Sequence, residues 1–382
     1  MVDRASLPYD PFMTASPPSC HNPAETSPSA DRVRYEWIDA WRGIAAVLIV
    51  WHHLSLYAPQ SDLADLVAPK AMYFIYNHAL YAVQVFLVIS GFSLSMSETK
   101  RALSAGAALH RFVRKFWRLA YPQWVSLWIL VSVGWIANGL QIELGLVDQF
   151  TWPHFFAHMV FMQDLLGFGN FAAGSWYLCI IVQYLVLVFL LQVLSYGIAD
   201  PMNKEDGLPI LVVSIILPLG LLSAWYWNRD EYYDATVLYF LTPLVLGTVL
   251  GWVVGNRVSG WVLFVCLLVC GASLIVHPRP QLWVALMSTA ALWLGTILFP
   301  RWKNPPLLKW LSRISYSLFL VHYMVNGVVL VALDPWARTG HWPAFLSMLI
   351  AFLCSLGVAE LFYRWVEAPS QRGMPFFAPR TA

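Results

Sequence analysis

Apolar runs about twenty residues long recur along this chain, and they leave it little choice of fold. A hydrocarbon core about 30 Å thick is crossed by about 20 mostly apolar residues in a helix. Ten such runs are present, at approximately 37–57, 73–95, 119–139, 175–196, 208–227, 236–255, 260–276, 281–299, 314–333 and 343–364. A further stretch, 152–168, is apolar but short and carries His154, His158 and Asp164. A re-entrant or interfacial segment is expected there. Only 12% of residues are charged, about half the share in soluble domains, so no stretch has the charge of a soluble domain. The expected fold class is all-α: a polytopic transmembrane helix bundle of about ten spans.

The basic residues give the bundle an expected orientation. With ten spans, 18 Lys and Arg fall in the tails and connections on one side and 4 on the other, Arg42 alone lying inside a run. The positive-inside bias then places both termini in the cytosol, in a multi-pass protein of the plasma (inner) membrane. Residues 1–34 hold six prolines and five serines and no apolar core. They read as a disordered cytosolic tail, followed by a membrane domain over 35–370 and a cytosolic tail over 371–382. Cys266 and Cys270 have no His, Asp or Glu nearby to complete a metal set, so neither a metal site nor a disulfide framework is expected. No nucleic-acid partner is expected; the lipid bilayer is.

Within the runs, the informative residues are the polar ones. An ionisable group at membrane depth costs about 2.5–3.5 kcal/mol on insertion scales and usually faces the bundle interior or a water-filled cavity. The first run, AWRGIAAVLIVWHHLSLY, contains three such groups. At about 100° per residue, Arg42 and His53 share one helix face, about 16 Å apart along the axis. His52 lies about 80° away from Arg42. Asp39, three residues before Arg42, is placed to pair with it. In QVFLVISGF, Gln84 and Ser90 are polar and Gly91 allows close helix approach. Ser315, His322 and Asn326 fall on one stripe of the ninth run. Glu360, Arg364 and Glu367 follow at i, i+4, i+7 and suit a structural ion cluster. The connection 96–118 is the most basic stretch, with Lys100, Arg101, Arg111, Arg114, Lys115 and Arg118. It suits anionic lipid or a phosphate-bearing cytosolic ligand gripped by Arg.

A histidine base, an arginine anion clamp and a few hydroxyl and amide dipoles suit acyl transfer from a thioester to an alcohol. The residues alone leave open an alternative, a polytopic transporter or flippase of an acyl carrier or lipid-linked sugar.

An ordered set of motifs narrows this choice. WIDAWRGIAAVLIVWHH, VQVFLVISGF, RKFWRLAYP, SWYLCIIVQYL, ISYSLFLVH and YRWVEAP resemble, in order over residues 35–370, motifs of the integral-membrane acyltransferase 3 family. The resemblance implies transfer of an acyl group, by default acetyl, from acyl-CoA as co-substrate, with no bound cofactor. The acceptor would be a hydroxyl of a carbohydrate, such as a surface polysaccharide, of a glycolipid or of a small molecule. It implies His53 and Arg42 as the catalytic pair, His53 as the base and Arg42 meeting the CoA phosphates with the basic stretch, in which Arg114, Lys115 and Arg118 are donor-binding residues. Asp39, Ser90, Trp176, Gln183, Ser315, Tyr316 and His322 become candidates for acceptor binding or support. The motifs also match at Gly91 and Glu367. The chain departs from the pattern in three places: Ile181 and Val182 stand where an acid is common, Gln84 replaces a frequent acid, and one extra residue separates Arg118 from Pro122.

Overall fold

A computed structural model describes residues 35–97, 103–199 and 207–372. The expected tail over 1–34 lies outside the described residues, as does nearly all of 371–382. Among the described residues there are helices, turns and no strand. The helices are α1 (Glu36–Leu54), α2 (Gln60–Asp65), α3 (Pro69–His78), α4 (Ala82–Met96), α5 (Ala105–Gly139), α6 (Trp152–Met159), α7 (Ser175–Ala199), α8 (Gly207–Trp225), α9 (Leu241–Val254), α10 (Gly260–Val276), α11 (Pro280–Leu298), α12 (Pro306–Ala337), α13 (His341–Phe362) and α14 (Ala368–Arg372).

Each of the ten expected runs overlaps a helix, although residues 55–57 and 236–240 lie outside α1 and α9 and the run 73–95 is divided between α3 and α4. Among the described residues, six helical segments, not ten, are long and apolar enough to cross a membrane: Pro69–Met96, Ala105–Gly139, Ser175–Tyr196, Pro280–Leu298, Pro306–Ala337 and His341–Gln371. The chain is therefore a multi-pass, all-helical membrane protein. The stretch 152–168 forms only the eight-residue α6 before it turns, a rise of about 12 Å that cannot cross a bilayer.

The two basic connections differ from expectation. Helix α5 begins at Ala105 and runs for 35 residues, a rise of about 52 Å against a hydrocarbon core of about 30 Å. Its first turns hold Arg111, Arg114, Lys115 and Arg118, so these are helical residues and not loop residues. At i, i+3, i+4 and i+7 they form one basic stripe. Likewise Lys309 and Arg313 stand on α12, which starts at Pro306.

Two close helix approaches position the site. Helices α1 and α12 run parallel and in register. A Cβ on Gly43 would sit 3.0 Å from the Ser312 backbone nitrogen, and His53 meets His322 at the same offset, 269 residues along the chain. The α1 start is tied to the α11–α12 connection, where Asn304 donates its backbone N–H to Glu36 at 2.8 Å and its side-chain amide to the Glu36 carbonyl at 2.7 Å. That backbone bond, with Lys303 and Lys309 beside it, holds the Glu36 carboxyl below its ordinary pKa. Helices α4 and α9 also touch. A Cβ on Gly91 would run into the Leu244 carbonyl, and one on Gly247 into the Val88 carbonyl. Gly91 therefore serves packing, as small residues at helix crossings do.

Candidate active site

His53 is the centre of the polar arrangement. Its Nδ1 lies 2.8 Å from Nε2 of His322 on α12. The other nitrogen of His322, Nδ1, faces the carbonyls of Leu318 and Phe319 at 3.0 and 2.9 Å. Carbonyl oxygens only accept, so His322 carries its proton on Nδ1 and offers a lone pair at Nε2. In the uncharged pair, His53 must then donate from Nδ1. Its own Nε2 is left with a lone pair and no hydrogen bond within the described residues. The ring-to-ring bond thus selects a tautomer, as a second partner of a functional histidine commonly does.

That lone pair stands beside a cavity of about 350 Å³, at the small end of ligand pockets. His53 lines it with His52, Gln84, Trp176, Tyr177 and the α8–α9 connection. His52 also bonds the Ile75 carbonyl at 3.3 Å, a contact away from His322, as the helix angle predicts. Trp176 faces the cavity and tilts against Phe240, with ring centroids 5.1 Å apart. Ser90 does not line it. Its hydroxyl shares a 2.7 Å bond with Tyr177, whose ring does line it.

Arg42 stands towards the other end of α1. Its guanidinium reaches Asp39 at 3.5 Å and the Ser93 hydroxyl on α4 at 3.3 Å. It is within electrostatic reach of Tyr177 and Glu367. Tyr177 therefore connects the Arg42 end to the His53 cavity. One third of the Arg42 side chain is accessible, so its charge remains open to a ligand. Arg114 and Arg118 are exposed on the basic stripe of α5, and Lys115 is partly so.

The other candidates have structural partners. Ser315 donates to the Ser312 carbonyl in its own helix at 2.8 Å. Tyr316 donates to the Leu119 carbonyl at 2.7 Å and joins α12 to α5. Asn326 accepts from Ser355 on α13 at 2.9 Å. The stripe Ser315–His322–Asn326 is thus one helix face in projection and three separate contacts in space; of the three, His322 is the one that touches His53. Gln183 accepts from the Val237 N–H at 2.8 Å and donates to the Ala235 carbonyl at 3.0 Å. It fixes the α8–α9 connection.

The expected cluster Glu360–Arg364–Glu367 is divided. Glu360 binds Arg364, Arg313 at 3.2 Å and the Trp310 indole at 2.8 Å. Glu367 instead is buried against Ser317 at 2.6 Å and Gln371 at 2.8 Å. A wider turn over Tyr363–Glu367 breaks the 3.6-residue spacing that would have kept the three on one face.

The sequence reading missed Tyr177, Tyr239, Gln281, Glu231 and Asp234, all of which line the cavity. Only Tyr177 left a signal, being next to Trp176 in a quoted motif.

Comparison with known proteins gives one finding at the level of family. The family model described as an acyltransferase domain matches residues 35–364. No curated protein and no solved structure matches the chain.

Proposed function

The chain belongs to the acyltransferase 3 family, and from that premise we propose that it is a membrane O-acyltransferase. It moves an acyl group, acetyl by the family's default, from acyl-CoA to a hydroxyl of a carbohydrate, glycolipid or small-molecule acceptor. The observation that carries this reading is the His53 tautomer: Nδ1–H fixed by His322, Nε2 open beside a cavity.

In this scheme His53 Nε2 removes the proton from the acceptor hydroxyl as its oxygen forms a bond to the thioester carbonyl carbon. The carbon–sulfur bond breaks, and the imidazolium returns the proton to the leaving thiolate. Such general-base help is worth about 10²–10⁴ in rate. The charge that builds on His53 is shared through Nδ1–H with His322, whose own Nδ1–H faces the carbonyls of Leu318 and Phe319. Arg42 and the stripe Arg114–Lys115–Arg118 hold the phosphate-bearing part of the donor, for which the arginine fork is suited. The pantetheine arm of coenzyme A has the reach to connect the Arg42 end of α1 with the His53 end, eleven residues along the same helix.

The same reading places ten spans in the plasma membrane with both termini in the cytosol. The parallel pairing of α1 with α12 supports it, since they are the first and ninth of the expected spans and so run the same way. The Arg42 end then meets cytosolic donor, and the cavity mouth faces the acceptor's side.

Membranes containing the protein, given labelled acetyl-CoA and a hydroxyl acceptor, should form labelled ester and free CoA. His53→Ala should abolish both at normal expression, and His52→Ala should be far milder. Arg42→Lys should raise the KM for donor about tenfold, because a point charge replaces a bidentate fork. Full ester formation by His53→Ala, or transport of acceptor without ester formation, would defeat the proposal.

A further inference from the structure

The cavity beside His53 has a second polar end that the proton transfer does not use. Glu231 and Asp234 line it from the α8–α9 connection, and no Lys or Arg among the described residues lines it. Neither carboxylate forms an ion pair among the described residues. The connection that carries them is tethered. Besides its bonds to Gln183, it receives the Ser223 hydroxyl at the Leu238 carbonyl at 2.6 Å and the Asn228 amide at the Tyr239 carbonyl at 2.9 Å. The two carboxylates are thus held at the mouth and not on a loose loop.

Two arginines at this connection do not line the cavity, and one of them, Arg229, keeps a buried guanidinium nitrogen without a hydrogen bond among the described residues. Arg279 donates to Asn228 at 3.3 Å and interacts with Tyr239. Arg229 lies 5.7 Å from the centre of the Trp225 ring. Asp164 adds a further negative charge within electrostatic reach of Asp234. A cleft of one charge sign between low-dielectric walls focuses its potential and concentrates the opposite charge.

A second observation points to a ligand independently of charge. Gln84 on α4 is only 4% exposed, lines the same cavity, and has no hydrogen-bond partner among the described residues. Buried amides are normally satisfied, so one that opens onto a cavity is completed by what enters it.

We infer that the cavity binds an acceptor that carries a protonated amine as well as the hydroxyl to be acylated. This rests on the acyl-transfer reading only for the fate of the hydroxyl. Glu231 and Asp234 hold the ammonium, Gln84 bonds a polar group of the acceptor, and His53 faces the hydroxyl. Acceptors with a carboxylate or phosphate near the hydroxyl are rejected by like charge, an unfavourable pairing that provides selectivity.

The test is direct binding without donor, using the full chain in lipid nanodiscs at neutral pH. The probes are glucosamine, N-acetylglucosamine and glucuronate, which present an amine, a neutral amide and a carboxylate on similar rings. Glucosamine should bind about tenfold more tightly than N-acetylglucosamine, and glucuronate should not bind. Added salt should reduce the preference. The double variant Glu231→Gln, Asp234→Asn should bring the amine and amide to parity, while Gln84→Leu should weaken both alike. Equal or tighter binding of the neutral sugar by the unaltered protein, no binding of the amine, or a preference that survives the double variant would overturn the inference. His53→Ala should keep the amine preference while losing transfer. Preference without transfer in the unaltered protein would count against acyl transfer alone, and transfer without preference against the ammonium site alone.

Discussion

His53 and His322 meet at 2.8 Å between α1 and α12, while His154 and His158 lie one helical turn apart on α6 with ring centroids 5.1 Å apart. Both pairs are close and largely enclosed, yet their nitrogens are used differently. His154 directs Nδ1 at the Gln149 carbonyl and Nε2 at the Gly169 carbonyl, at 3.2 and 2.6 Å. His158 has Nε2 against the Gly169 carbonyl and the Phe171 N–H, and its Nδ1 is closed off without a partner. The Phe171 ring covers both imidazoles, with centroids 3.9 and 4.7 Å away. In the first pair one nitrogen has its proton fixed and another is open beside a cavity. In the second each nitrogen faces a backbone group or is sealed, and none opens onto a cavity. Proximity and burial of imidazoles therefore do not make a base; an accessible lone pair does.

The sharpest way to break this comparison is to truncate each pair. His53→Ala should lower acyl transfer by at least about 10², with unchanged yield of solubilised protein. His158→Ala should lower yield and thermal midpoint, because it leaves a cavity under Phe171, but the protein that survives should turn over normally. Loss of turnover in folded His158→Ala would erase the distinction. The next effect is that of His322, a positioning residue. His322→Ala should reduce kcat by about 10–10² with little change in acceptor KM and should alter the pH profile of kcat. His322→Gln, whose amide oxygen can accept the His53 Nδ1 proton, should recover part of the loss. A purely structural histidine would affect stability in both variants and leave the pH profile in place.

The same contrast shows what could be read from the sequence. Helical periodicity puts Arg42 and His53 on one face of a rigid helix and His52 to the side, yet His52 lines the same cavity as His53 and Arg42 does not. It could also place His322 on a polar stripe, but not distinguish it from Ser315 and Asn326. Angular position says which way a residue points, not which neighbour stands there. The α1–α12 register, set by the close approach at Gly43, decides that. Glu231 and Asp234 carried no signal. They are loop residues placed by Gln183 from a helix about fifty residues earlier, and no local pattern encodes such a contact. The basic residues of α5 stand out in the sequence, and Arg111, Arg114, Lys115 and Arg118 have helical spacing, but they precede the apolar run and so read as a connection, not as a helical stripe.

The smallest expected effect separates the pairs by pH. His158 lies outside the membrane-crossing helices. Burial first, and then the neighbouring His154, depress its imidazole from the ordinary 6.5 to about 3, against a smaller opposing contribution from the Gly169 carbonyl. Between those values the unfolded chain binds a proton that the folded chain does not, so stability must rise with pH through that window. The contribution is complete above about 6.5, declines as the medium is acidified and is lost near 3. Thermal midpoints of the solubilised protein, taken at one scan rate because such unfolding is commonly irreversible, should therefore fall on acidification below 6.5. His158→Gln keeps an acceptor for the Phe171 N–H but has no proton to gain, so its midpoint should fall less steeply. An identical slope in both proteins would show that His158 does not remain neutral in the fold. The sealed environment that separates it from His53 would then be an incorrect description of that pair.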